Sequence, residues 1–173
     1  MIIHLIRHAE AIERSQDIPE EHRFLTPRGI KRFRKIARSL KKLGLEPDVI
    51  LTSPMIRAVQ TADILSETLR HRGDLLVASQ LAARFGPEQL DELLNRYPQA
   101  REIALIGHEP DLGALTQNML EAQASCALSK GGVASFKRSA GGEALFIQLV
   151  TGGGRIFTSR SKALERLQRE TTK

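Results

Sequence analysis

Short apolar runs alternate along this chain with longer segments whose apolar residues recur every three or four positions, and the two patterns predict strands and helices respectively. Ile2-Ile3-His4-Leu5-Ile6 is rich in β-branched residues and interrupted only by His4, so it predicts a buried strand. A polar loop over 11–25 follows. Thr26-Pro27 then offers an N-cap and a proline at the first helical position. Ile30, Phe33, Ala37 and Leu40 keep helical spacing behind it, which predicts a helix over 27–43 that stops at Gly44. A second strand is expected over 48–52, a helix start at Ser53-Pro54 with the helix carrying 57–69, and a short third strand over 75–77. Gly86-Pro87 opens a helix ending near position 96, because Pro98 prevents its continuation. A fourth strand over 103–106 leads into Gly107-His108-Glu109-Pro110 and a helix over 111–120. Gly131-Gly132 and Gly141-Gly142 bracket strands over 133–136 and 145–150, an antiparallel hairpin, and the tail from Arg160 onward reads as helix.

Strands alternating with helices predict one α/β domain over 1–173: a three-layer α/β/α sandwich with a mostly parallel central sheet and a late antiparallel hairpin near one edge. Sites in such sheets lie beyond the carboxyl ends of the strands. That rule selects residues. Arg7 and His8 follow the first strand, Arg57 sits a few residues past the second, and His108 follows the fourth. All four belong at one rim.

Composition refines this picture in three ways. An apolar fraction of 41% over 173 residues is that of a folded domain rather than a disordered chain. The single cysteine, Cys126, leaves no partner for an internal disulfide, and the first apolar run is too short for a signal core or a membrane span. The expectation is a cytoplasmic protein with no membrane partner. The net charge of +6 falls mainly on the polar face of the 27–43 helix (Arg28, Lys31, Arg32, Arg34, Lys35, Arg38, Lys41, Lys42), with a second basic cluster at Arg160, Lys162, Arg166, Arg169 and Lys173. With seven aromatics and no groove-reading motif, a solvated helix face is the better reading, and no nucleic-acid partner is expected.

Two arginines and two histidines at one rim suit a tetrahedral dianion, because guanidinium groups are permanently charged and fork onto phosphate oxygens. A neutral imidazole can attack phosphorus, provided one ring nitrogen is fixed as donor so that the other is free. His8, on a strand end beside Arg7, is the expected nucleophile. His108 would donate to the transferred group, Arg7 and Arg57 would hold its oxygens, and a helix start at Ser53 would add backbone N–H groups. A zinc site built on His8 and His108 with Glu10, Glu109 or Asp111 is the rival, and it ranks lower because arginines beside a dication are unfavourable. Neither a metal nor a cofactor is expected.

Three segments carry a resemblance. Leu5-Ile6-Arg7-His8-Ala9-Glu10-Ala11, Thr52-Ser53-Pro54-Met55-Ile56-Arg57-Ala58 and Leu105-Ile106-Gly107-His108-Glu109-Pro110 resemble, in order, the motifs of the histidine phosphatase superfamily, which also contains the cofactor-dependent phosphoglycerate mutases. The short length and Arg23-Phe24-Leu25-Thr26-Pro27 look like the SixA-type phosphohistidine phosphatases. That resemblance implies a phosphoglycerate mutase-like fold, Arg7, His8, Arg57 and His108 as active site, and Arg23 as a further substrate-binding position. It implies a metal-independent phosphatase with a covalent phosphohistidine. Its partner would be a phosphorylated signalling protein of the histidine-containing phosphotransfer type.

One departure bears on substrate. Mutases place a carboxylic acid after the third strand to protonate a leaving oxygen, and here Glu88 and Asp91 are the nearest carboxylates, with His108 as the remaining proton source. Without a dedicated acid, imidazole leaves more easily than an alkoxide, which favours phosphohistidine. A small-molecule phosphomonoesterase acting on a sugar phosphate or nucleotide, and a non-catalytic phosphohistidine-binding module, are the alternatives. His4 and Cys126 are read as packing residues, His22 and His71 as solvated, and Gly152-Gly153-Gly154 as a turn rather than a phosphate loop.

Overall fold

The computed structural model describes every residue except Ala140, Thr172 and Lys173, so Lys173 of the second basic cluster lies outside the described residues. Seven strands form one sheet: β1 (Ile2–Arg7), β2 (Val49–Thr52), β3 (Asp74–Val77), β4 (Glu102–Gly107), β5 (Val133–Arg138), β6 (Ala144–Val150) and β7 (Ile156–Phe157). Their order is β3-β2-β4-β1-β5-β6-β7. β1 to β4 are parallel, while β5, β6 and β7 each pair antiparallel with the strand before them in that order. The late hairpin is present, and a two-residue strand, β7, which no apolar run announces, extends it.

Alternation along the strands builds the layers, because successive side chains point to opposite faces. Ile3 and Leu5 of β1 join Leu51, Ile103 and Leu105 in one core, against Leu90 and Leu93 of α3 (Pro87–Leu94), Leu112 and Leu115 of α4 (Asp111–Met119) and Leu167 of α5 (Arg160–Glu170). Ile6 joins Ile50, Ala104 and Ile106 in the other core. There they pack on Phe33, Ile36 and Leu40 of α1 (Pro27–Lys42) and Ala58, Ala62 and Leu65 of α2 (Ile56–Leu69). Three layers result. His4 stays in its strand as a structural residue, its ring nitrogens 2.8 Å from Ser135 Oγ and 2.9 Å from Glu102 Oε1.

Helix boundaries follow local chemistry. Thr26 caps α1 by accepting from Gly29 N at 2.9 Å, and Gly44, at φ +80°, ends the turn beyond it. Ser53-Pro54 is not the start of α2. The helix begins at Ile56 with Met55 as an uncapped N-cap, while the Ser53 hydroxyl bridges Met55 N and His108 Nε2. α3 ends at Leu94, short of the expected 96.

Register brings the rim together. Arg7 lies opposite Gly107 and Thr52 opposite Ile106. One residue further, His8 N donates to Gly107 O at 3.1 Å and Ser53 N to Ile106 O at 2.9 Å. The chain after His8 is clamped to the start of α1: Thr26 N donates to Glu10 O, Ala11 bridges Leu25, and the space at Gly29 is filled by Glu10 backbone. A Cβ at Gly29 would fall 2.1 Å from Glu10 O, closer than any real contact. Gly29→Ala should therefore displace the segment after His8 and cost roughly 1–3 kcal/mol, lowering the melting temperature by several degrees. An unchanged melting temperature in a thermal scan would contradict this packing.

Candidate active site

His8 ends β1 inside a shell that leaves its ring 8% exposed. Its Nδ1 stands 2.7 Å from the carbonyl of Ala9. A carbonyl only accepts, so Nδ1 carries the proton and Nε2 keeps its lone pair. Burial pushes His8 down to about 2, against the pull of the Ala9 carbonyl, and the neighbouring His108, Arg57 and Arg7 add to the shift. The ring is neutral at every physiological pH.

Arg57, on the first turn of α2 and also buried, points its Nε–H at His8 Nε2 across 3.2 Å. The rest of its fork is occupied by protein. Nη1 donates to Glu20 O at 2.7 Å, and Nη2 reaches Met55 Sδ and Glu20 Oε1, each at 2.9 Å. Glu20 begins a 3₁₀ turn (Glu20–His22) in the long polar loop and also binds Arg14 and Arg23. Sequence reasoning misses this carboxylate. It stands in an unpatterned loop, and no spacing marks it as Arg57's counter-charge.

His108 follows β4, with its ring centroid 5.1 Å from that of His8. Its Nε2 lies 2.7 Å from Ser53 Oγ, which also accepts from Met55 N at 3.3 Å. Its Nδ1 is buried with no partner among the described residues. Burial first, then the charge of Arg57, lowers His108 to about 4, opposed by Asp111 and Glu20. Arg7 anchors Nη1 on Leu128 O at 2.6 Å, and its Nε is likewise buried and unpartnered. Behind it stands Glu109, which accepts from Leu128 N at 3.1 Å. Burial raises Glu109 to about 7, against the hydrogen bonds it accepts and the nearby Arg7. Buried polar atoms without partners are uncommon, and among the described residues Arg7 and His108 each carry one.

The rim thus gathers Arg7, His8, Arg57, His108 and Ser53, although Ser53 contributes a hydroxyl to His108 rather than helix-start N–H groups. Arg23 Nε and Nη2 both bind Ile12 O and its Nη1 binds Glu20, and its charge acts directly on Arg57, helping to lower that guanidinium. Of the two acids considered, Asp91 is drawn off by Arg138 at 2.6 Å, at the end of β5, while Glu88 is exposed on the first turn of α3. The carboxylates near His108 are Asp111, which accepts from Phe85 N at 3.0 Å, and Glu20. Among the described residues no three His, Cys, Asp or Glu side chains are placed to hold a metal ion. Glu10, a zinc candidate by sequence, instead faces Arg28 and Arg32.

Residues 3–82 match the family described as the histidine phosphatase superfamily (branch 1). An uncharacterized protein of the cyanobacterium Picosynechococcus is 37% identical over 117 residues, which are 65% of this chain and 69% of that protein. A structure of the protein histidine phosphatase SixA complexed with tungstate superposes with TM-score 0.79 at 21% identity, over 88% of this chain and 97% of that one. Phosphoserine phosphatase from Entamoeba histolytica, in complex with phosphoserine, gives 0.65 at 16% identity, over 87% and 97% of the two chains. At these identities the likeness to the two structures is one of fold.

The two depressed histidines contribute to the acid stability. In the unfolded chain both bind protons below about 6.5, whereas in the fold they resist protonation down to about 4 and about 2. Their contribution is complete above pH 6.5 and is lost as pH falls from there toward 4. Glu109, raised to about 7, has the opposite sign and loses its contribution as pH rises from about 4.5 to 7. A His8→Asn/His108→Asn variant keeps Glu109, so its melting temperature should fall less steeply between pH 6.5 and 4.5 than the wild type's. Equal slopes would contradict neutral, buried imidazoles.

Proposed function

This chain belongs to the histidine phosphatase superfamily, and on that premise we propose that it hydrolyses phosphate compounds through a covalent phosphohistidine at Nε2 of His8. The observation that carries the reading is the Nδ1–H hydrogen bond to Ala9 O, which leaves Nε2 unprotonated and directed at Arg57. The phosphorus–nitrogen bond forms as the bond to the leaving group breaks. The ring then gains positive charge, which the Ala9 carbonyl stabilises through Nδ1–H. Arg57 gives up its contact with Nε2 and, with Arg7, takes the equatorial oxygens. The Ser53 hydroxyl donates to His108 Nε2 in this reading, placing the His108 proton on Nδ1, where it meets the phosphoryl group. Water then attacks phosphorus as the phosphorus–nitrogen bond breaks, the electron pair returns to Nε2 to restore neutral His8, and the water's proton leaves with the phosphate or to solvent. The guanidinium charges do the work without a metal.

The substrate we favour is phosphohistidine on a phosphorylated protein of the histidine-containing phosphotransfer type, in a cytoplasmic signalling system. Two points support it: the fold is similar to that of the protein histidine phosphatase SixA, and Asp91, one of the two acids suited to an alkoxide leaving group, is engaged by Arg138. Asp111 and Glu20, close enough to affect His108, favour a second reading, a small-molecule phosphomonoesterase. A non-catalytic binding module would not need an unprotonated Nε2. Among the described residues no helix is long and apolar enough to cross a membrane.

A phosphoryl donor should label the protein with an acid-labile, base-stable phosphate on His8, and EDTA should leave turnover of an aryl phosphate unchanged. His8→Ala should abolish both labelling and turnover. Arg57→Ala should lower kcat/KM by about 10²–10³-fold, the loss typical of a charge-stabilising donor. Full activity in His8→Ala would overturn the assignment, and loss of activity to EDTA would restore the metal reading.

A further inference from the structure

Arg7 belongs to two places at once. Besides the rim, it lines an open groove of about 640 Å³ between α1, the segment before β5, the β6–β7 turn and the end of α5. His8, His108 and Arg57 do not line this groove. Four more cations do: Arg32, Lys130, Arg155 and Arg166, drawn from four separate stretches of chain. Two carboxylates also face it, and both are taken. Glu10 is held by Arg28 and Arg32 at 3.8 and 3.4 Å, and Glu170 pairs with Arg166. Lys130 and Arg155 are exposed, and their side chains have no hydrogen bond or ion pair among the described residues. The Nε of Arg166, like that of Arg7, is buried and unpartnered.

Five cations around one concavity, against two engaged carboxylates, repel one another in the free protein. Core packing does not need this arrangement, since Lys130 and Arg155 bury nothing. The Gly152-Gly153 turn brings its backbone close to the wall formed by Lys130. A Cβ at Gly152 would sit 2.2 Å from Lys130 O, so no side chain there can fill the groove. The space and its charge fit an anion of the size of a carboxylate or phosphate group.

We propose that this groove is a second anion subsite, which binds a carboxylate or phosphate group carried by the substrate beyond the phosphoryl group that His8 attacks. The inference rests on the phosphatase reading and narrows the substrate class to molecules with two anionic groups. The second anion has two sources, acidic residues flanking a phosphohistidine or the second phosphate of a small bisphosphate.

The test compares wild type with Lys130→Ala/Arg155→Ala in two arms, with p-nitrophenyl phosphate as the reference. One arm uses phosphohistidine peptides with Asp/Glu or with Asn/Gln flanks. The other uses a sugar bisphosphate and its monophosphate. Wild type should show a lower KM for the doubly anionic member of one pair, and that arm identifies the source. The variant should raise that KM by about 5–10-fold, the effect of two exposed charge contacts, with kcat and the reference kinetics unchanged. Added salt should shrink the wild-type preference. The proposal is overturned if wild type shows no preference in either arm, or if the variant keeps it in full, while reference turnover is normal. Absence of wild-type turnover on every phosphate would instead overturn the phosphatase reading itself.

Discussion

The hydrogen bond from His8 Nδ1–H to the Ala9 carbonyl decides which ring nitrogen faces the rim, and strand register decides what that nitrogen meets. An imidazole can place its proton on either nitrogen, and a carbonyl acceptor removes that choice. Burial then removes the other freedom, protonation, because a charged ring is costly out of water and the neighbouring Arg57 and Arg7 disfavour a further positive charge. The outcome is a single, neutral, oriented donor of an electron pair. It is available across the whole physiological pH range without a partner base.

That bond holds only because the backbone on both sides of His8 is fixed. Before it, β1 runs between β4 and β5, with both ladders reaching the strand end. After it, Ala9 N donates to Thr61 Oγ1 at 3.0 Å and Glu10 is pinned by Thr26 and Gly29. The same Thr61 hydroxyl donates to Arg57 O at 2.6 Å, so one side chain ties the turn after His8 to the backbone of the residue its ring faces. Gly107 and Ile106 carbonyls meanwhile hold His8 and Ser53 in register, which sets Ser53 Oγ against His108. Fold and site share these contacts.

Much of this is legible in the amino-acid sequence. Arg7, His8, Arg57 and His108 each follow a strand that apolar runs announce, and parallel pairing places strand ends at one rim. The strand order, with β4 between β1 and β2, is a tertiary fact that no local pattern contains. What escapes is what depends on loops. Glu20 and Arg23 lie in an unpatterned segment, where spacing does not say that one carboxylate joins three arginines. Ser53 belongs to the rim, as its position after the second strand implies, but its role there differs from the expected one. Ser-Pro is a good helix start in isolation, but here the helix begins at Ile56 and the Ser53 hydroxyl lies between Met55 N and His108. β7 is too short to show periodicity. Glu88 and Asp91 are nearest to the third strand in sequence, and spacing alone does not say that Asp91 pairs with Arg138.

The charge distribution has one theme, anion handling without a competing positive imidazole. Arg57 is balanced by Glu20, Arg7 has Glu109 behind it, and both histidines stay neutral between them. The central claim is therefore about one ring. Long-range ¹H–¹⁵N correlation spectra of the histidine side chains, recorded from pH 8 to 5, test it most directly. The account predicts that His8 keeps an unprotonated Nε2 and a protonated Nδ1 throughout. A His8 ring that carries its proton on Nε2, or that becomes imidazolium near pH 6.5, would contradict it.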